Sequence, residues 1–118
     1  MMRAMGIGMW VVAAWVGSPA HAATPAPAGP DGAAVFRHWC APCHAAGPGH
    51  PGTESLQRKY EGKLPATLLD RTDLSAETVS TFVRQGVLMM APFRKTEITD
   101  AELAALARFV SRQYRKGK

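Results

Sequence analysis

Cys40-Ala41-Pro42-Cys43-His44 is the stretch from which this 118-residue chain is best read. Two cysteines three positions apart, followed at once by histidine, form the attachment signature of a c-type haem. The thiols add to the two vinyl groups, and the imidazole takes one axial position on the iron. The spacing follows from that chemistry. One turn of backbone must set both sulfurs against one porphyrin edge while the next side chain turns under the ring. Other readings of the pair need features that the chain lacks. A thioredoxin-like dithiol needs a strand-helix-strand setting, and none is marked around the motif. A zinc site needs two further ligands at similar spacing, and these are the only two cysteines. A disulfide across so short a loop leaves His44 without a role.

Upstream of the motif, Asp31 is a candidate N-cap for a first helix running to about Cys40, with Val35 and Trp39 one turn apart and Gly32 and Phe36 four apart. His38 on this helix reads as solvated surface. Before it, Met1 to Ala22 reads as a secretory signal peptide. Arg3 is its positive end, Ile7 to Val16 its short apolar core and Ala20-His21-Ala22 its cleavage site. The apolar run is short for a bilayer span, so a membrane contact is expected only as an uncleaved leader. Residues 23–30 form a Pro/Ala-rich linker, and residues 31–118 the folded domain. Roughly 88 residues make only a modest core, so the haem is expected to be its largest apolar body.

The net charge is +5 and the sequence pI about 9.7. Loss of the leader removes Arg3 and leaves 13 basic residues against 9 acidic ones. Such a balance favours acidic protein surfaces as partners. No aromatic platform is interleaved with the basic residues, so no nucleic-acid partner is expected.

Downstream, Ala45 to Gly52 is rich in turn residues and reads as a loop, within which a backbone carbonyl is expected to accept the free ring N–H of His44. His50 lies only six residues beyond His44, which makes the opposite axial position hard to reach. From Thr53 to Asp73 the pattern is weak. Leu56, Tyr60, Leu64, Leu68 and Leu69 are core candidates, and Pro65 is placed to open a short helix carrying the last two. Tyr60 reads as a packed aromatic. Arg58, Lys59, Lys63 and Arg71 read as a docking surface or as solvated charge.

A clearer helix follows, with Leu74 and Ser75 at its start, Glu77 in its first turn, Val79, Phe82 and Val83 on one face and Gly86 ending it. This leaves Val87-Leu88-Met89-Met90-Ala91-Pro92-Phe93 as a loop. A thioether is a soft neutral donor that raises the potential of a histidine-bound iron, so either Met89 or Met90 is a candidate sixth ligand. The last helix is marked by the capping box Thr99-Asp100-Ala101-Glu102 and by a staple between Ile98 and Leu103. Leu103, Leu106, Ala107 and Val110 then share its inward face. The tail carries Arg112, Arg115, Lys116 and Lys118, which favour the negative helix end.

Gly32-x-x-x-Phe36 ahead of Cys40-x-x-Cys43-His44, with Leu106 and Phe109 on the last helix, resembles class I cytochromes c from Asp31 to about Tyr114. The resemblance implies a small all-α fold around one haem c bound through Cys40 and Cys43, and attachment outside the cytoplasm. It implies that Gly32 lets the last helix cross the first closely, and that the acceptor for His44 is the carbonyl of Pro51, with Pro48 as the alternative. It also implies Met90 as the ligand beside His44. The family's Gly-x-x-x-Met-Pro-x-Phe spacing matches Gly86 to Met90 and Met90 to Phe93, although Ala91 stands where the family has proline. Met89 then packs as core.

Loop lengths and a few residues are similar, more narrowly, to the cytochrome subunits of flavocytochrome dehydrogenases of the p-cresol methylhydroxylase type. The expectation is therefore an exported, periplasmic, mono-haem carrier of single electrons and not an enzyme. Its donor would be a flavoprotein dehydrogenase subunit, and a further redox protein its acceptor. The alternatives are a freely diffusing shuttle between respiratory oxidoreductases and, in another class, a haem peroxidase or gas-binding protein if the methionine does not ligate. A haem-free thiol-redox domain is a third, with Cys40 and Cys43 as its free thiols.

Overall fold

The computed structural model describes residues 28–117. The expected leader, residues 1–22, and the linker as far as Pro27 lie outside the described residues. The described residues hold six α-helices: α1 (Gly32–Val35), α2 (Ala41–His44), α3 (Pro51–Tyr60), α4 (Ala76–Gln85), α5 (Asp100–Val110) and α6 (Arg112–Lys116). Among the described residues the only β-type pairing is a bridge between Val87 and Met90. No described helix is long and apolar enough to cross a membrane.

α1 does not stop at Cys40. It continues through a π-helical turn, Phe36–Cys40, into α2, so the motif lies on one helical rod with Gly32. Pro42 supplies the reason for the wider turn. It has no N–H to offer the carbonyl four residues back, and its ring crowds that carbonyl. The N–H of Ala41 bonds instead to Phe36, five residues back. At the head of the rod Asp31 caps α1 by accepting from the N–H of Ala33 at 2.9 Å.

α1 and α5 cross as expected. A Cβ on Gly32 would stand 2.2 Å from the carbonyl oxygen of Ala105 and 2.9 Å from Cβ of Phe109, so only glycine permits the approach. Phe36 and Phe109 meet beside this point with ring centroids 5.8 Å apart. Leu103, Leu106, Ala107 and Val110 are all buried, and Thr99 with Glu102 forms the complete capping box. Ile98 is fully buried at the staple position.

α4 is capped by Ser75 and ended by Gly86, and it buries Val79 and Val83 against α5. Phe82 departs from the expected inward face and remains 38% exposed. Two further expectations are corrected. Arg71 is neither a docking residue nor solvated. It is buried, forks both carboxylate oxygens of Asp73 at 2.6 and 2.5 Å, and lays its guanidinium over the ring of Tyr60. The segment expected to be a loop as far as Gly52 already enters α3 at Pro51. There proline fills the first helical position, where a missing N–H costs nothing.

Candidate haem centre

The π turn and α2 place the motif at the point where the rod ends. Cys40 is buried with the core, Cys43 is exposed and His44 is half-buried, after which Ala45 turns extended. Both thiols are free, so the disulfide alternative is not realised. Burial, with Cys43 as a second cause, pushes the Cys40 thiol up to about 11. A thiol-redox site needs the opposite, a thiolate made easy to form. Among the described residues no three His, Cys, Asp or Glu side chains converge on a metal position.

Burial also holds the His44 imidazole below its ordinary pKa, so it is neutral at pH 7 and keeps a lone pair for a metal. Its Nδ1 is buried and has no hydrogen-bond partner. Neither Pro51 nor Pro48 accepts from it, which corrects the expected bond. The reason is that Pro51 has become the first residue of α3.

The turn around His44 is held by its neighbours in sequence. His50 Nδ1 donates to the carbonyl of Pro42 at 3.0 Å, and the buried Thr53 hydroxyl donates to the carbonyl of Ala45 at 2.8 Å. Glu54 accepts from the N–H of Gly49 at 3.0 Å and so ties the loop to the same helix. His50 is thereby engaged as a brace. Reading the sequence missed Gly52 and Thr53. The available signal was a glycine directly after the helix-opening proline, where no turn calls for it.

The methionine loop is built differently. Val87 and Met90 exchange two backbone hydrogen bonds, N–H of Val87 to Met90 at 3.0 Å and the reverse at 2.9 Å. Gly86 has a φ of +72°, and a Cβ there would meet the Met90 carbonyl oxygen at 2.6 Å, so the tight return needs glycine twice over. Arg84 reaches across to the carbonyls of Phe93 and Ile98 at 3.2 and 2.9 Å and to Asp100 at 2.9 Å. The ring of Phe93 meets Trp39 edge-on at 5.7 Å, which joins this loop to the rod carrying Cys40. Within the loop the two methionines have opposite fates. Met90 packs against the core, whereas Met89 is 99% exposed and does not pack as expected.

Residues 27–110 match the family model described as cytochrome C oxidase, cbb3-type, subunit III. The chain belongs to that family. It is a small class I c-type cytochrome, an electron-transfer protein and not an enzyme, and the family indicates covalently bound haem c. No curated protein and no solved structure matches it. The residues present fit such a group: two free thiols on one helical turn and, beside them, an imidazole whose buried Nδ1 has no partner within the protein.

Proposed function

We propose that this cytochrome is an exported carrier of single electrons that holds one haem c through Cys40 and Cys43, with His44 and Met90 as its axial ligands. Such a group supplies reversible one-electron chemistry at iron. The observation that carries the ligand assignment is the contrast between the adjacent methionines: Met90 is turned onto the core and Met89 is 99% exposed. The chain contributes two uncharged donors, an imidazole kept neutral by burial and a thioether, and this pairing favours the reduced state. Gly86 and the Val87–Met90 bridge keep the thioether's backbone in one place, and Arg84 fastens the same loop to the start of α5. With both donors fixed, little of the protein has to reorganise when an electron arrives or leaves.

The proposed donor is a flavoprotein dehydrogenase subunit of the p-cresol methylhydroxylase kind, and the compartment is the periplasm. The basic balance of the chain supports an acidic docking face on the partner. A second reading is favoured by the family match, whose description names an oxidase subunit: a shuttle or fused partner delivering electrons to a terminal oxidase. Co-purification separates the two, since a stoichiometric flavin-containing complex supports the dehydrogenase and its absence removes it.

The ligand assignment is tested by oxidised and reduced visible and far-red spectra of the haem-loaded chain. Narrow low-spin bands and a weak far-red methionine band are expected in the wild type and in Met89→Ala. Met90→Ala should lose the far-red band and lower the reduction potential. If Met89→Ala alone loses the band, the assignment is wrong.

A further inference from the structure

We infer that Gly52 is a positioning residue for the axial histidine, and that the first turn of α3 is the mould that sets the plane of the His44 imidazole. The inference rests on His44 as a ligand, as proposed above. Gly52 is the second residue of α3, and its backbone is not in the left-handed region where glycine is favoured. Alanine at an ordinary helical position favours the helix over glycine. The backbone therefore gives no reason for glycine there.

The side chain of His44 does. A Cβ on Gly52 would lie 2.5 Å from Cε1 and 2.7 Å from Nδ1 of His44, and 2.7 Å from the carbonyl oxygen of Cys43. All three are closer than carbon packs, so the imidazole rests directly on the bare edge of the helix. The turn cannot back away to make room. Thr53 holds the carbonyl of Ala45 at 2.8 Å and His50 holds that of Pro42 at 3.0 Å, one on each side of the Cys43-His44 pair. Thr53 is itself 8% exposed, so its hydroxyl has little access to water as an alternative. Nδ1 is buried and finds no partner within the protein, so contact with Gly52 is what the chain itself offers to set the rotation of the ring.

The orientation of an axial imidazole relative to the iron's other ligands is visible in the g values of the ferric protein. The test is Gly52→Ala in the full chain carrying its haem, read by electron paramagnetic resonance and by the midpoint potential. The wild-type spectrum comes first. If it lacks low-spin His/Met character, the ligand reading fails on its own, independently of any variant. Given that spectrum, Gly52→Ala should shift both the g values and the midpoint potential while the far-red methionine band remains. Unchanged g values and potential overturn the inference. Thr53→Val removes the hydroxyl without adding bulk and should shift the g values less; identical g values in this variant overturn the inference too, even if Gly52→Ala loads no haem. Gly29→Ala, whose added methyl meets nothing within 4 Å, should leave both quantities unmoved.

Discussion

The two sides of the candidate haem centre are built on different plans. The histidine side is made from one continuous stretch, Cys40 to Glu54, in which small residues and short side-chain bonds to nearby carbonyls shape a turn. The methionine side depends on residues distant in sequence: Arg84 reaches Ile98 and Asp100, and Phe93 reaches Trp39. A local mould is specified as soon as its own stretch folds. A loop held at a distance is only as firm as the packing that brings its anchors together.

The sharpest way to break this contrast is Trp39→Ala, because Trp39 joins the two sides. The ring is half-buried, so a loss of about 3 kcal/mol is expected, at the low end for a large aromatic. Urea unfolding followed by both the far-red band and far-ultraviolet circular dichroism should show the band vanishing at a lower denaturant concentration than the helices. Coincident transitions, with the midpoint unmoved, would show that the sides do not meet through this ring.

Arg84→Met should come next, at about 2 kcal/mol, since it removes a charged donor from two carbonyls and a carboxylate. Its effect should be confined to the methionine side: a weakened far-red band on warming, with the g values of the intact low-spin fraction unchanged. Thr53→Val is the mirror experiment on the histidine side, worth about 1 kcal/mol in thermal or chemical unfolding. It should leave the far-red band in place. Loss of that band in Thr53→Val would erase the distinction between a local and a distant plan.

The contrast between wild type and Asp73→Asn depends on pH. The Arg71 hydrogen bond holds the Asp73 carboxyl below its ordinary value of 3.8. A carboxyl whose pKa is lowered by folding contributes stability that is present above the unfolded value and lost as pH falls through the folded one. Wild type should therefore lose stability in acid below about pH 4, whereas Asp73→Asn should be less stable at neutral pH and flatter through the acid range. Parallel profiles for the two proteins would remove Asp73 from the account.

The legible parts of the fold are those where local chemistry and burial agree. Asp31, Ser75 and the Thr99/Glu102 box each cap the helix they announce. The apolar face of α5 turns inward at every expected position, and Gly32 with Phe36 marks the crossing. α3 was illegible because it is mostly exposed, with only Leu56 and Tyr60 to mark an apolar stripe. Its end is concealed as well, since the left-handed cap falls on Glu61 one residue before Gly62. Arg71 misled for a different reason: a charge reads as solvated until a carboxylate two residues on and an aromatic face enclose it. In the site, Met90 was chosen by the family's spacing and stays a proposal, whereas the acceptor assigned to His44 failed because Pro51 opens a helix.

The crossing at Gly32 also bears on the order of events in synthesis. The first helix of the domain packs against a helix near the other end of the chain, so the closing contact spans almost the whole described sequence. Until Ala105 has left the ribosome, the helix carrying the motif has nothing to dock against, and Cys40 has no finished core in which to hide. The Cys40 thiol is thus covered only once α5 is in place, whereas Cys43 stays open in the finished fold.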